Sequence, residues 1–326
     1  MARRFAVANG ACFVFAGLVA WLIAANAGLA QTYPSAPIKL VVPYPAGGAG
    51  DMIARLIGDK LAAALGTSVV VLNRPGASGT IGIKTAIAAK PDGYTLYVGY
   101  TSETVIVPQL SKSAKYSIDD FEPIAVTGLV PLVLIASKNV RAGNLQELIA
   151  ELRAAPGKFT FGGGIASPPH IIGAWFNRLN KLDVIHVPYR GGGQGVADVV
   201  GGHIDMFYAG LAAAKAAIVT GAVKPLAVTG DARSSALPDV PTFKEAGMTD
   251  FDLASWNVLL APKGTPADIL ALLRQETTLA LADPKVRELY AVQGIERSPT
   301  QDVRAFLVKE RDNFGRVVRD LGITMD

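Results

Sequence analysis

The sequence predicts an α/β fold, and three observations carry that prediction. Apolar runs of strand length alternate with amphipathic helical stretches, glycine-rich turns stand where strands pass into helices, and the last 60 or so residues are helical in pattern. Ile38-Lys39-Leu40-Val41-Val42 reads as a buried strand. Asp51 to Leu65 follows as a helix, with Ile53, Leu56, Ile57 and Leu61 on one face and Gly66 as its stop. Val69 to Leu72 is a second strand, Ile81 to Ala89 a short helix, and Thr95 to Gly99 a third strand.

The βαβα order predicts a parallel sheet with helices on both faces. It resumes at Leu132 to Ile135, followed by a helix from Leu145 to Ala154 that Asn144 can cap. Phe159 to Phe161 (strand), His170 to Leu179 (helix), Val184 to Val187 (strand), Val196 to Val200 (helix) and Leu226 to Val228 (strand) continue the alternation. After the strand Val258 to Pro262 the pattern is helical: Pro266 to Ala282, Lys285 to Gln293 and Thr300 to Leu321. Pro266 suits a first helical position and Asp283-Pro284 a break. A helical tail of this length is expected to return and clamp the first part of the chain.

The amino-terminal segment has the three-part pattern of an export signal. Arg3 and Arg4 precede an apolar run from Ala11 to Ala25, and Gly28-Leu29-Ala30 supplies small residues for a cut before Gln31. The apolar core is about 15 residues, short of the roughly 20 that a spanning helix needs. Residues 1–30 are therefore expected to be removed. Cys12, the one cysteine, leaves with them, and with it any disulfide, thiolate nucleophile or thiolate metal site. Losing Arg3 and Arg4 takes 31 basic residues to 29 against 27 acidic, too balanced for nucleic-acid binding. The remaining 296 or so residues suffice for two domains of ordinary size.

A strand, a glycine-rich turn and a helix start recur four times. The turns are Pro43-Tyr44-Pro45-Ala46-Gly47-Gly48-Ala49-Gly50-Asp51, Asn73-Arg74-Pro75-Gly76-Ala77-Ser78-Gly79, Gly162-Gly163-Gly164-Ile165-Ala166-Ser167 and Pro188-Tyr189-Arg190-Gly191-Gly192-Gly193-Gln194-Gly195. Glycine lets a backbone approach a ligand closely, and a helix N-terminus offers free N–H groups and partial positive charge. Two turns in each half of the chain can enclose an anion from both sides. Ile53 stands where a dinucleotide fingerprint needs glycine, and no turn ends in the Gly-Lys-Ser/Thr of a phosphate-binding loop. Asp51 reads as a helix N-cap. Glu103 would oppose an anion and reads as outward-facing. Ser78, Thr101, Ser102 and Ser167 are candidate hydroxyl donors, Arg190 a candidate partner for a carboxylate, and Tyr44 and Trp256 candidate pocket walls.

Catalytic chemistry finds little support. His170, His186 and His203 are spaced by 16 and 17 residues, which fits no local metal motif, and no Gly-x-Ser-x-Gly elbow occurs. No enzymatic activity and no cofactor or metal is expected. An exported α/β hydrolase or isomerase, and a sensor lobe for a membrane receptor, stand as alternatives.

Several ordered blocks resemble the Bug family, the periplasmic solute-binding proteins of tripartite tricarboxylate transporters. They are Tyr33-Pro34-Ser35-Ala36-Pro37-Ile38, Val42 to Gly48 with Asp51, Asn73-Arg74-Pro75-Gly76, Pro91 to Leu96, His186 to Gly191, Gly201 to Met206, Leu237 to Thr242 and Leu260-Ala261-Pro262. The resemblance implies a two-lobed fold of the periplasmic-binding-protein type, type II-like, with two crossovers. The expected limits are 31–130 and 254–326 for the first lobe and 131–253 for the second. It also implies a small carboxylate held between the loops after Pro45, after Gly162 and around Tyr189, delivery to membrane permease subunits, no nucleic-acid partner, and a monomer. With the turn residues this defines the expected site: Tyr44, Ala46, Gly47, Gly48, Ala49, Ser78, Thr101, Ser102, Gly163, Gly164, Ala166, Ser167, His170, Tyr189, Arg190, Gly191, Gly192, Asp205 and Trp256. Two departures from the family pattern stand out. Ala49-Gly50 replaces a hydroxyl-bearing residue, and Gly164 to His170 is more apolar and stiffer, which points to an apolar or aromatic carboxylate.

Overall fold

A computed structural model describes residues 33–47 and 49–325. The export signal over 1–30 with Cys12, Gly48, and the side chain of Ala49 lie outside the described residues.

Two five-stranded sheets organise residues 36–326. The first takes β1 (Ile38–Val42), β2 (Val69–Asn73), β3 (Thr95–Tyr100), β4 (Phe121–Val130) and β10 (Ser255–Pro262), in the order β2-β1-β3-β10-β4. The second takes β5 (Leu132–Ala136), β6 (Thr160–Gly163), β7 (Ile185–Pro188), β8 (Met206–Gly210) and β9 (Lys224–Val228), in the order β7-β6-β8-β5-β9. The α/β class and the two crossovers hold. The chain leaves the first sheet at Val130, enters the second at Leu132, and returns between Val228 and Ser255.

The expectation of a purely parallel sheet is corrected. β1 pairs parallel with β2 and β3, but β10 runs antiparallel to both β3 and β4. In the second sheet β6 pairs parallel with β7 and β8, while β5 is antiparallel to β8 and β9. The reversed strand is in each case the one that enters from the other sheet. Pro131 alone separates β4 from β5, so Val130 and Leu132 lie within about 7 Å of each other. Val130 closes β4, and Leu132 sits opposite Gly210, the last residue of β8. The carboxyl ends of the parallel strands in both sheets therefore meet at this crossover. A strand that starts there must run back against its neighbours.

The helices are α1 (Ala49–Leu65), α2 (Thr80–Ile87), α3 (Val107–Leu110), α4 (Leu145–Ala154), α5 (Pro168–Asn180), α6 (Gly192–Gly201), α7 (Leu211–Val219), α8 (Ala267–Ala282), α9 (Pro284–Gln293) and α10 (Val303–Leu321). Asn144 caps α4 as expected, its side chain accepting from the Glu147 N–H. Asp283 accepts from the N–H groups of Lys285 and Val286, so the Asp-Pro break is also the cap of α9. β4, β8, α3 and α7 were not anticipated.

Helix α10 buries Val303, Leu307, Phe314, Val317 and Val318, which recur at the three- and four-residue spacing of one helical face. That face packs against both the π-helical turn Ser102–Ile106 of the first sheet and α5 of the second. Arg316 lies 5.4 Å over the Trp175 ring. The tail thus joins both sheets. One apolar cluster accordingly runs from Val41 and Tyr97 to Phe161 and Tyr208. Among the described residues no helix is long and apolar enough to cross a membrane.

Candidate functional site

Ligands of open α/β sheets bind beyond the carboxyl ends of the strands. In the first sheet those ends open into the loops after β1, β2 and β3, and in the second into the loops after β6, β7 and β8.

The loop after β1 is knotted by Asp51. Its carboxylate accepts from the Gly47 N–H (3.0 Å), the Asn73 amide (3.0 Å) and the Arg55 guanidinium (2.9 and 3.1 Å). The Arg55 hydrogen bond leads the effects that hold this carboxyl down at about 2. The N-cap reading of Asp51 is corrected, because α1 starts two residues earlier and Asp51 lies in its first turn. Its carboxylate nonetheless folds back onto a loop N–H and carries its own counter-charge. Gly47 needs its freedom, with φ at +85°. Asn73 also donates to the Tyr44 carbonyl (3.0 Å), which ties the ends of β1 and β2 together.

Glu103 overturns its outward-facing reading. Its side chain is fully buried. One carboxylate oxygen accepts from the Tyr97 hydroxyl (2.9 Å) and the Tyr100 N–H (2.6 Å), and the other from the Tyr44 hydroxyl (2.9 Å). Burial raises its pKa to about 7, against the opposing pull of these hydrogen bonds. Glycine is required at 79, where a Cβ would stand 2.8 Å from the Glu103 side chain. It is also required at 50, where a Cβ would stand 1.7 Å from the Tyr100 hydroxyl. That hydroxyl is buried without a partner.

Two expected contacts of the first half are corrected. The Thr101 hydroxyl donates to the Trp256 carbonyl (3.2 Å) and accepts from its N–H (2.8 Å), while the Trp256 indole donates to Glu310 (2.8 Å). Both residues are fully buried, and their hydrogen bonds staple β10 to the end of β3. Ser102 is buried in the turn after β3. Ala46 and Ser78 are exposed on their loops, and Ser78 is held in a left-handed conformation (φ 51°).

In the second half the Gly163 carbonyl accepts from His186 Nε2 (2.9 Å) and the Tyr189 N–H (3.2 Å), which fixes the loops after β6 and β7 together. A Cβ at 163 would lie 2.8 Å from the His170 nitrogen, so the backbone there is in close contact. The loop closes through Ser167, whose hydroxyl (2.5 Å) and N–H (3.0 Å) both donate to the Gly164 carbonyl. Ala166 buries its methyl at φ 56°, and this leaves Ile165 60% exposed at the loop tip. His170 stacks on His186 at 4.1 Å, and its Nδ1 is buried without a partner. Burial, then the neighbouring imidazole, lowers the His170 pKa to about 4.

Tyr189 turns its hydroxyl onto Asp198 (2.6 Å) and its ring edge-on to Phe207. Arg190, Gly191, Gly192 and Gly193 are exposed at the start of α6, and no atom lies within 4 Å of where a Cβ would stand on any of these glycines. Asp205 is corrected. It precedes β8, at the end away from the loops, and its carboxylate accepts from the Thr160 N–H (2.8 Å) and hydroxyl (2.9 Å). Among the described residues no cluster of three or more His, Cys, Asp or Glu could hold a metal. Sequence reasoning missed Asn73, His186 and Glu103 as site-builders. Asn73 and His186 each left a signal in a family block, Asn73 before Arg74-Pro75-Gly76 and His186 with Tyr189, and Glu103 left none.

Two α/β halves whose ligand-binding ends meet at crossovers define a two-lobed binding protein. Residues 53–323 match the model of the family described as tripartite tricarboxylate transporter family receptor. The chain is 34% identical over 299 residues to Protein BugT of Bordetella pertussis, covering 90% of this chain and 91% of that one. Among solved structures it is similar to R. palustris Rpa4515 with adipate, at 29% identity and TM-score 0.79, covering 90% of this chain and 99% of that one. It is similar also to MatC of Rhodopseudomonas palustris with bound malate, at 29% identity and TM-score 0.76, covering 88% and 100%. The chain belongs to the tripartite tricarboxylate transporter family of receptors. It is thus a solute receptor and not an enzyme, and the hydrolase and isomerase alternatives fall away.

Proposed function

We propose that this receptor captures a small carboxylate outside the cytoplasm, between loops of two lobes, and delivers it to membrane permease subunits. The observation that carries this reading is the meeting of two sets of glycine-bearing loops across a one-residue crossover. The adipate and malate held by structural relatives support the same class of ligand. The lobes comprise 31–130 with 254–326, and 131–253. The contacts come from Tyr44, Ala46, Gly47, Gly48, Ala49, Ser78 and Ser102 on one side, and from Gly163, Gly164, Ala166, Ser167, His170, Tyr189, Arg190, Gly191 and Gly192 on the other. Cleavage near Ala30 releases a periplasmic monomer.

Magnitudes favour enclosure. Micromolar affinity needs about 8 kcal/mol. A helix dipole contributes roughly 0.3–1 kcal/mol when exposed. Hydrogen bonds to a charged group contribute about 1.5–3 kcal/mol each, so several must form at once. The exposed start of α6 offers such donors from its first-turn N–H groups. Exposed Ile165 favours a carboxylate with an apolar body. Native mass spectrometry of the purified protein, followed by calorimetry against a panel of mono- and dicarboxylates, tests the reading. Absence of binding across the panel overturns it.

A further inference from the structure

We propose that the solute is captured together with one proton, taken up by Glu103 beneath the loops of the first sheet; this rests on the carboxylate-receptor reading above. Glu103 touches all three of those loops. It holds the loop after β1 through the Tyr44 hydroxyl, the start of the turn after β3 through the Tyr100 N–H, and the loop after β2 through van der Waals contact at Gly79. Its donors are neutral, and among the described residues it forms no ion pair.

The charges around it do not compensate it. From β3 it meets Tyr97 and Tyr100, and from the segment before β4 Tyr116, which donates to its main-chain carbonyl (2.9 Å). Asp51 of α1 is matched by Arg55, and Lys84 of α2 lies over the Tyr116 ring. Tyr290 of α9 bears on Tyr100, and Glu310 of α10 is taken by Trp256. An anion settling on these loops puts a second negative charge above a buried one. Like charges in a desolvated site do not both stay ionised, and the weaker acid takes a proton. Burial has already brought Glu103 to the edge of protonation near neutrality.

The proton also changes the hydrogen bonding. An ionised Glu103 accepts only, so Tyr44 must spend its O–H on it. Once a solvent proton adds to the oxygen facing Tyr44, that oxygen donates to the Tyr44 hydroxyl. The Tyr44 O–H is then free to turn toward the ligand loop. Proton uptake removes a repulsive charge and releases one donor in a single step.

The test is calorimetric titration of adipate and of malate at pH 7.4 in phosphate and in Tris, whose ionisation enthalpies differ. The wild type is expected to show a buffer-dependent enthalpy that corresponds to uptake of up to one proton. Its affinity is expected to fall by up to tenfold per unit as pH rises from 7 to 8.5. Glu103→Gln should bind without uptake and with pH-independent affinity, whereas Glu310→Gln should keep the wild-type uptake. Should Glu103→Gln fail to fold, Tyr44→Phe decides. Its affinity loss should be about tenfold at pH 6.5 and vanish by pH 8.5, and a loss equal at both pH values counts against the proposal. Binding without uptake in the wild type, or uptake retained in Glu103→Gln, overturns the proton coupling alone. Failure of both probes to bind at any pH overturns the carboxylate reading, and this proposal with it.

Discussion

Beneath the loops of the first sheet lies a carboxylate onto which two tyrosine hydroxyls and an amide converge. Beneath those of the second lie two stacked imidazoles, one with a ring nitrogen that has no partner. Both groups are displaced toward their neutral forms, and burial is the leading cause in each. Their charges on protonation differ in sign of consequence. The acid becomes more compatible with an anion by gaining a proton, while the imidazole is already neutral at pH 7. The first half is knotted, with the Gly47 N–H committed to Asp51. The second half is open at Gly191, Gly192 and Gly193. A receptor that must both hold and release its ligand can combine a fixed wall with an uncommitted one.

The largest test of this contrast is Glu103→Ala. It strands three donors in the interior, and each unsatisfied group costs about 1–3 kcal/mol. We expect a loss of about 3 kcal/mol or more in urea unfolding. A loss below about 1 kcal/mol would mean that the wall does not depend on its acid.

Gly191→Val comes next. Its φ of −164° suits any residue and a Cβ there meets nothing, so the melting temperature should hold. Affinity should fall about 100-fold, equivalent to roughly 2.7 kcal/mol. An unchanged affinity would show that no ligand atom approaches this turn. Gly47→Val should abolish binding as well as cost stability, because φ +85° strains a β-branched residue.

The pH profile of stability separates the halves by sign. Glu103 has a raised pKa, so its contribution is present below about 4.5 and is lost as pH rises through about 7. His170 has a lowered pKa, so the unfolded chain takes up its proton first and stability falls as pH drops from 6.5 toward 4. Thermal melts between about pH 4.5 and 6.5 should show Glu103→Gln removing a fall of stability with rising pH and His170→Phe removing a rise. A change of slope in the same direction in both variants would break the contrast. Arg190→Ala is expected to have the smallest effect, a three- to tenfold loss of affinity by calorimetry with no change in melting temperature. Arg190 is exposed, and solvent screening limits what its charge contributes.

Much of the scaffold is legible in the sequence. β1 spans the expected residues, Asn144 caps its helix, and Gly66 ends α1 with φ 63°. β4 was missed because Pro123 and Gly128 interrupt its apolar run, and these are tolerated where the strand is at an edge. Parallel direction was overextended because strand pattern carries no record of partner. Thr101, Trp256 and Asp205 were read as ligand contacts from residue type and family position. Each instead spends its polar atoms on a neighbour that lies 155, 54 or 45 residues away in the chain.

By itself, the sequence determined the alternation of strands and helices, the glycine turns between them and the family. These depend on short-range periodicity and on backbone freedom that only particular residues allow. Tertiary structure alone decided that Glu103 is buried, because the hydroxyl of Tyr44 comes from 59 residues upstream to satisfy it. It also decided that the two sets of loops meet, because Pro131 leaves no length for the chain to reach any other end of the second sheet. Burial, partner and facing are properties of chain segments brought together, and a local pattern of residues cannot encode them.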